Sequence, residues 1–303
     1  MPDATFELDG IQTRPASMLA PVRTGRGHPA LKQFLRNRLA VVALLGLLGM
    51  TVVAIFAPRL APFDPNKLSI RTRMLSPSSA HWMGTDPFGR DIFSRLLWGS
   101  RLTVFYAFIA IGLGGGVGVF LGAIAGYARG WADTIIMRLM DILLALPGLL
   151  LALVVLTILG SGLVNAQIAV GVSLIPVYVR LVRGAMLSER EREHVIAAKV
   201  MGCPPARLLV RHILPSVWSQ IAVLSTSALG WAIVIAATLN FLGLGVAPPT
   251  SEWGADLAAG RQWISTGWWI STAPGVAITI VILAINFLGD GLTEALDSSL
   301  RKR

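Results

Sequence analysis

Long stretches without an acidic or strongly basic side chain constrain this chain more than any other feature. Residues 142–179, 38 in all, contain no Asp, Glu, Lys or Arg, and the same holds for residues 39–58 and 212–251. A helix that crosses a bilayer needs about 20 mainly apolar residues. The chain is 54% hydrophobic and 14% charged, whereas an average soluble domain is about 25% charged. The sequence therefore predicts an all-α membrane protein.

The apolar runs and their breaks predict six transmembrane helices. Residues 142–179 are too many for one span, and the sequence GSGLVN at 160–165 supplies a break. Pro147, Pro176 and Pro274 fall inside spans, where neighbouring helices can satisfy the carbonyls that proline leaves free. The predicted spans are residues 39–58, 102–128, 136–159, 163–182, 216–239 and 268–289.

The distribution of basic residues predicts that both termini are cytoplasmic. With the N-terminus inside, 18 of the 26 Lys and Arg residues lie on the inner side, as the positive-inside tendency requires. The net charge of +10 therefore reflects membrane topology, and we expect no nucleic-acid partner. The expected regions are a cytoplasmic tail (1–38), a first transmembrane helix (39–58), an outer segment (59–101), a five-helix core (102–289) and a cytoplasmic tail (290–303).

The outer segment ends in GTDPFGRDIFSRLLWGSR, residues 84–101. Asp86 can cap a helix that has Pro87 at its first position, and the residues after it alternate between an apolar and a polar face. Two interpretations stay open, an amphipathic helix lying on the membrane or a rim that contacts an external partner. Arg90 and Asp91 are the candidates for that contact.

Asp141 is an ionisable residue one turn inside the predicted third span. Such groups at membrane depth are functional candidates by default, because they are costly to bury. The alternative is a structural ion pair with Arg138, three residues earlier.

The stretch AAKVMGCPPARLLVRHILP, residues 197–215, interrupts two apolar spans with a basic segment. Gly202 permits a positive φ at a turn, and Pro204-Pro205 prevents the first helix from continuing. The pattern predicts a helix, a tight turn and a second helix. It fits a basic loop lying on the membrane surface, or a protrusion that inserts into the groove of a partner.

Motifs for catalysis or cofactor binding are absent from the sequence. It contains no G-x-x-x-x-G-K-[ST], H-E-x-x-H or G-x-S-x-G. Its one cysteine and four scattered histidines show no metal-ligand spacing. We therefore expect no catalytic residue, metal site or cofactor in this chain. A transport subunit, an autonomous secondary carrier or channel and an intramembrane enzyme are the competing classes, and the last lacks any visible nucleophile.

The 197–215 stretch resembles the cytoplasmic loop of ABC importer permeases, with the pattern Glu-Ala-Ala, three residues, Gly, nine residues, Ile-x-Leu-Pro. Ile196 and His212 depart from that pattern. The motifs GTDPFGRDIFSRLLWGSR, AGYARGWADTIIMRLMDILLALP, LNFLGLGVAPPTSEWGADL and NFLGDGLTEALD extend the resemblance over roughly residues 80–297. They place the chain nearest the dipeptide, oligopeptide and nickel permeases, C-type subunit. The matching positions are Ala197, Ala198, Gly202, Leu214 and Pro215.

The resemblance implies a type I ABC importer permease fold in the bacterial cytoplasmic membrane. It implies that loop 183–215 forms coupling helices that dock on a cytoplasmic ATPase. The implied partners are a homologous permease, two ATPase subunits that bind ATP and Mg²⁺, and an extracytoplasmic substrate-binding protein. The implied cargo is di- or oligopeptides, with nickel chelates, glutathione or another small solute as alternatives. The expected coupling residues are Val195, Ile196, Ala197, Ala198, Met201, Gly202, Arg207, Arg211, His212, Leu214 and Pro215.

Further candidates lie near the membrane core and in the outer loop, which the resemblance places near the gate. Asp141 and Asn240 are the expected polar groups of the translocation pathway. Phe241 and Trp253, in FLGLGVAPPTSEWG, are expected at the gate and the binding-protein contact. A re-entrant turn packed by these two aromatic residues is the structural alternative.

Overall fold

The computed structural model describes residues 29–128 and 130–296, and within these ranges the regular structure is helical, apart from one β-bridge between Thr85 and Asp91. Of the expected cytoplasmic tails, 1–38 and 290–303, residues 1–28 and 297–303 lie outside the described residues. The helices are α1 (Pro29–Arg36), α2 (Arg38–Leu60), α3 (Ile92–Ala128), α4 (Trp131–Leu144), α5 (Gly148–Leu159), α6 (Leu163–Arg190), α7 (Glu193–Val200), α8 (Pro205–Leu208), α9 (Leu214–Phe241), α10 (Trp253–Gly260) and α11 (Trp269–Leu296).

Five of the described helical segments are long and apolar enough to cross a bilayer alone, and a sixth crossing exists if α4 and α5 count as one span. The five are α2, α3, α6, α9 with its α8 extension, and α11. This result confirms the all-α membrane class. The predicted third span, residues 136–159, is wrong as one straight helix because α4 and α5 are bent by 95°. Pro147 stands at the break, where it lacks an N–H and disfavours helical geometry in the residue before it.

Helix α3 begins later and runs further than the sequence indicated. It starts at Ile92, not at Pro87, and continues without interruption to Ala128. Asp91 caps it, since one carboxylate oxygen accepts from the Ser94 backbone N–H at 2.8 Å and from its hydroxyl at 2.7 Å. Asp86 instead accepts from the N–H groups of Phe88 and Arg90 in a turn. The expected separate amphipathic helix is therefore the first part of a membrane span.

Helices α3 and α6 form the central packing unit, and glycines on α3 make their close approach possible. A Cβ at Gly122 would lie 2.8 Å from the Val182 side chain, and one at Gly126 would lie 2.6 Å from that of Met186. Small residues at helix contacts have this role in membrane proteins, where the backbones can approach. Tyr178 of α6 extends the unit to α9 through a 2.9 Å hydrogen bond to the Ser225 hydroxyl.

The two ends of the described chain meet at one end of the helix bundle. Gln33 donates a hydrogen bond to one carboxylate oxygen of Glu294 at 3.1 Å, and Asn37 donates to the other at 3.0 Å. The start of α2 and the end of α11 therefore lie on the same side. A chain with an even number of crossings has this arrangement.

Candidate functional site

The segment between α6 and α9 forms a compact hairpin, residues 193–215. Helix α6 ends at Arg190, a break follows at residues 191–192, and α7 runs to Val200. The fourth span therefore ends before this segment and does not continue into α7 as one helix. Gly202 has φ +82° at the turn, and α8 begins at Pro205. The predicted helix, turn and helix are thus confirmed, with a π-helical turn at 209–213 joining α8 to α9.

The hairpin divides its apolar residues between an anchor and an exposed face. Val195 and Ala198 of α7 are buried, together with Leu208 and Ile213 of the second arm. On the other side of α7, the exposed fractions of Ile196, Val200 and Met201 are 49%, 82% and 80%. Ala197 and Gly202 are also exposed. We call these five residues the docking surface: Ile196, Ala197, Val200, Met201 and Gly202.

The second arm carries exposed basic residues. Arg207 and Arg211 are exposed, whereas His212 and Leu214 are half-buried. Pro215 lies in the first turn of α9, directly after the π-helical turn at residues 209–213. Of the residues expected to couple, Val195 and Ala198 therefore hold the hairpin in place and do not offer a contact surface.

Charged residues at the base of the hairpin fix its direction, and the sequence reasoning missed them. Glu189 is buried. Its carboxylate oxygens lie 2.9 Å from Nε of Arg192 and 3.5 Å from Nε2 of His194. Arg190 donates to the carbonyl oxygens of Gly126 and Tyr127 at the end of α3, at 3.2 and 2.7 Å. In the sequence these residues were visible only as the charged run SEREREH at 188–194. Its composition does not indicate which residues Glu189 and Arg190 contact.

Asp141 lies on α4 and pairs with Arg180 of α6 at 2.9 Å. The sequence-based alternative partner, Arg138, is therefore wrong. Both side chains of the observed pair are more than half exposed. The carboxylate is accessible on the side of the α4–α6 pair, and its role in a pathway stays a prediction.

The opposite end of the bundle carries a cap, residues 61–91 and 242–268, held together by Arg95. Its guanidinium donates to the carbonyl oxygens of Pro65, Pro249 and Thr250 at 3.1 to 3.3 Å, and it forms an ion pair with Asp256. These bonds use the Nε and both terminal nitrogens. Arg95 therefore joins the start of α3 to both cap segments and α10.

The residues expected at an outer contact are mostly buried in this cap. Asp91 is buried and lies 2.9 Å from the His81 ring nitrogen. Trp253 is 3% exposed, and its indole N–H donates to the Leu96 carbonyl at 2.9 Å. Phe241 is half-buried. The Arg261 guanidinium lies over its ring, with Cζ 5.3 Å from the ring centroid. This geometry matches the packed-turn alternative for Phe241 and Trp253.

Asn240 has a structural role in the same cap. Its side chain is buried, and its carbonyl oxygen accepts from the Val246 N–H at 2.8 Å. A Cβ at Gly245 would collide with this carboxamide. Asn240 therefore holds the turn after α9, and its role in a pathway stays a prediction.

Glu252 is a buried carboxylic acid between α9 and α10. It caps α10 by accepting from the Ala255 N–H at 2.8 Å. Burial raises the pKa of Glu252 to about 7, against the opposing effect of its backbone hydrogen bonds. Thr103, Gln167 and Asn240 line the same small cavity. The cap thus holds a group that changes charge near neutral pH.

No cluster of three or more His, Cys, Asp or Glu residues that could hold a metal ion occurs in residues 29–128 and 130–296.

Comparison with solved structures gives the fold. The chain is similar to the MetNI methionine ABC transporter in its inward-facing conformations, with a TM-score of 0.55 and 21% identity. The match covers 67% of this chain and 96% of that one. The fold is thus that of an ABC transporter permease, as the resemblance implied.

Comparison with known sequences gives the family. Residues 26–77 match the N-terminal TM domain of oligopeptide transport permease C. The dipeptide transport system permease protein DppC of Alkalihalophilus pseudofirmus is 42% identical over 90% of both chains. The di/tripeptide transport system permease protein DppC of Pseudomonas aeruginosa is 42% identical over 97% of this chain and 99% of its own. The glutathione transport system permease protein GsiD of Pectobacterium atrosepticum is 43% identical over 89% and 90%. Residues 118–302 match the family model of the binding-protein-dependent transport system inner membrane component, and the chain belongs to this family.

Proposed function

We propose that this chain forms half of the translocation pathway of an ATP-driven importer and transmits the work of separate ATPase subunits through the hairpin. The observation that carries the proposal is the docking surface. Its three large apolar side chains are 49% to 82% exposed, while a second set anchors the same short helix. Exposed apolar patches of this kind mark interaction sites.

The proposed assembly contains a homologous permease, two cytoplasmic ATPases that bind ATP and Mg²⁺, and an extracytoplasmic binding protein. The hairpin end then faces the cytoplasm, so that both termini are cytoplasmic and the cap faces outward in a bacterial inner membrane. This orientation is supported by the excess of Lys and Arg at the hairpin end and the tails. Hydrolysis takes place on the partner subunits, and this chain is non-catalytic.

A movement of the ATPases would be transmitted from the hairpin to the transmembrane helices through two contacts. Ile213 anchors the second arm directly before α9, and Arg190 ties the end of α6 to the end of α3. A shift of the hairpin would therefore move α3, α6 and α9 together. Movement of packed helices as a unit is a known form of switching.

We propose small peptides as the substrate class. The relatives named for dipeptide, di/tripeptide and glutathione transport are 42% to 43% identical to this chain, and glutathione is itself a tripeptide. Nickel chelates stay an alternative from the sequence resemblance. The substrate is tested with the complex in vesicles, by uptake of a labelled dipeptide with glutathione and a nickel–histidine chelate as competitors. A complex that takes up no dipeptide in the presence of ATP would overturn the peptide assignment.

The coupling proposal is tested with Met201→Glu and the matched control Met201→Leu. Met201 is 80% exposed, so neither change should unfold the permease. The charged variant should lose at least about tenfold in ATP-dependent uptake and in copurified ATPase, because an apolar contact loses more than about 1.4 kcal/mol. The leucine variant should retain both. Wild-type uptake by M201E, or uptake by the lone chain without ATP, would contradict the proposal.

A further inference from the structure

A cavity in the cap, lined mainly by apolar surface, contains one edge of a guanidinium that has no hydrogen-bond partner among the described residues. The cavity encloses about 160 Å³ between the turn at residues 86–90, the start of α3, and α10 with the residues that follow it. Phe88 and Gln262, both exposed, stand among its lining residues. The cavity is therefore open to the surface and holds a single side chain or a small ion.

Arg90 is the central group of this cavity. Its side chain is buried, with Nε bonded to Asp86 at 2.5 Å. The Phe88 ring lies against its face, with the centroid 4.9 Å from Cζ. Among the described residues no hydrogen-bond partner occurs for Nη1 or Nη2, and neither atom is sealed from solvent. The guanidinium is therefore fixed on one edge and one face, and its other edge is free.

The charges around the cavity favour an anion. Its lining contains three arginines, Arg73, Arg90 and Arg95, and two aspartates, Asp86 and Asp256. The nitrogens of Arg95 already donate to Asp256 and to three backbone carbonyls. Arg73 uses its Nε on the Pro87 carbonyl at 2.7 Å and is otherwise exposed at the rim. Asp86 pairs with Arg90 and Asp256 pairs with Arg95, so the uncompensated positive charge is that of Arg73 at the rim. The free donors belong to Arg90 and Arg73.

We propose that this cavity is a socket for one carboxylate, held by the free edge of Arg90. A planar guanidinium with two terminal nitrogens matches the two oxygens of a carboxylate. The carboxylate belongs to an acidic side chain of the docked binding protein or to a free peptide. Which of the two fills the socket rests on the proposed import function, whereas the preference for a carboxylate does not.

The first experiment measures thermal unfolding of the purified importer complex with N-acetylglycine or its neutral isostere N-acetylglycinamide. The acid should stabilise the wild type and the amide should not. Arg90→Lys keeps a charge beside Asp86 but loses the two-nitrogen edge, so its apparent affinity for the acid should fall about tenfold or more. Arg71→Lys is the matched control, since Arg71 is exposed and does not line the cavity. An equal response to the amide, or an unchanged response in R90K, would overturn the socket.

The second experiment measures docking of the cognate binding protein to the same three complexes. Weaker docking to R90K alone identifies the carboxylate as a side chain of the binding protein. Unchanged docking, with the acid response lost, identifies a free peptide carboxylate. If no binding protein docks on any of the complexes, the import function fails while the first experiment still decides the socket.

Discussion

The two ends of this molecule are stabilised by opposite means. At the cap end, Arg95 and Asp256 form a buried ion pair that joins segments more than 150 residues apart. At the hairpin end, Val195 and Ala198 anchor α7 by apolar contact, and its other side stays exposed. A buried, fully bonded charge permits one geometry, while an apolar anchor tolerates small shifts. The difference suggests a rigid outer platform and a hairpin that can move with a partner.

The largest loss of stability is expected when Arg95, which holds the cap together, is replaced. Arg95→Met removes one member of a buried pair and leaves the Asp256 carboxylate uncompensated, which costs about 3–5 kcal/mol of unfolding free energy. Arg101→Met is the control, because Arg101 is exposed and stacks on Trp98 with its Cζ 5.2 Å from the ring centroid. It should cost below about 1 kcal/mol. Denaturant unfolding of the two variants in detergent measures the difference, and equal losses would contradict a cap fixed by charge.

The Arg95 contacts show where sequence reasoning ends. Apolar runs predicted the positions of the spans, because about 20 such residues suffice for a crossing. Gly202 and Pro204-Pro205 predicted the hairpin turn, because they act on their own backbone. The partners of Arg95 are Pro65, Pro249, Thr250 and Asp256. No local pattern marks them, because tertiary packing alone brings them together.

The bend between α4 and α5 and the start of α3 were missed for a related reason. Pro147 was visible in the sequence, but a proline inside a span can leave the helix kinked or broken. The sequence predicted Asp86 as the helix cap, whereas Asp91 caps α3 in the folded chain. The turn at residues 86–90 uses Asp86 for its own N–H groups, and only the folded cap reveals this.

The second-largest effect is a dependence of the stability of the cap on pH, through Glu252. The pKa of Glu252 is about 7 in the folded cap, above its ordinary value of 4.5. The folded state therefore binds more protons between these values, so the stability is full below about pH 4.5 and falls as pH rises through 7. The expected loss is roughly 2–4 kcal/mol. Glu252→Gln keeps an acceptor for the Ala255 N–H and should remove this part of the slope. Unfolding curves from pH 5 to 8 compare both proteins, and parallel slopes would contradict the assignment.

A third change tests the hairpin turn by itself. Gly202 has φ +82° with open space around it, so Gly202→Ala adds backbone strain without a clash and costs about 1–2 kcal/mol. Gly184→Ala in α6 is the control, since its surroundings are also open and alanine favours a helix by up to about 1 kcal/mol. Thermal unfolding should shift in opposite directions for the two variants. Two shifts of the same sign would contradict the left-handed turn.

The smallest expected effect on stability is that of Asp141→Asn, which is best measured against Asp133→Asn, because both aspartates lie on α4 and pair with α6. Asp133 binds Arg183 through two nitrogens at 2.5 and 2.7 Å and is mostly covered, whereas Asp141 meets Arg180 in a pair that is more than half exposed. Asp133→Asn should therefore cost about 1–3 kcal/mol. Asp141→Asn should cost below about 1 kcal/mol, because water screens an exposed pair.

Uptake then decides what the exposed carboxylate of Asp141 does. If it serves the translocation pathway, D141N lowers ATP-dependent uptake while its unfolding curve stays close to that of the wild type. A structural pair would show the reverse, with uptake following stability in both variants. Because the two aspartates share a helix and a partner helix, a loss of uptake confined to D141N cannot arise from a displaced α4. Unchanged uptake in D141N would remove Asp141 from the pathway and leave the α4–α6 contact as its role.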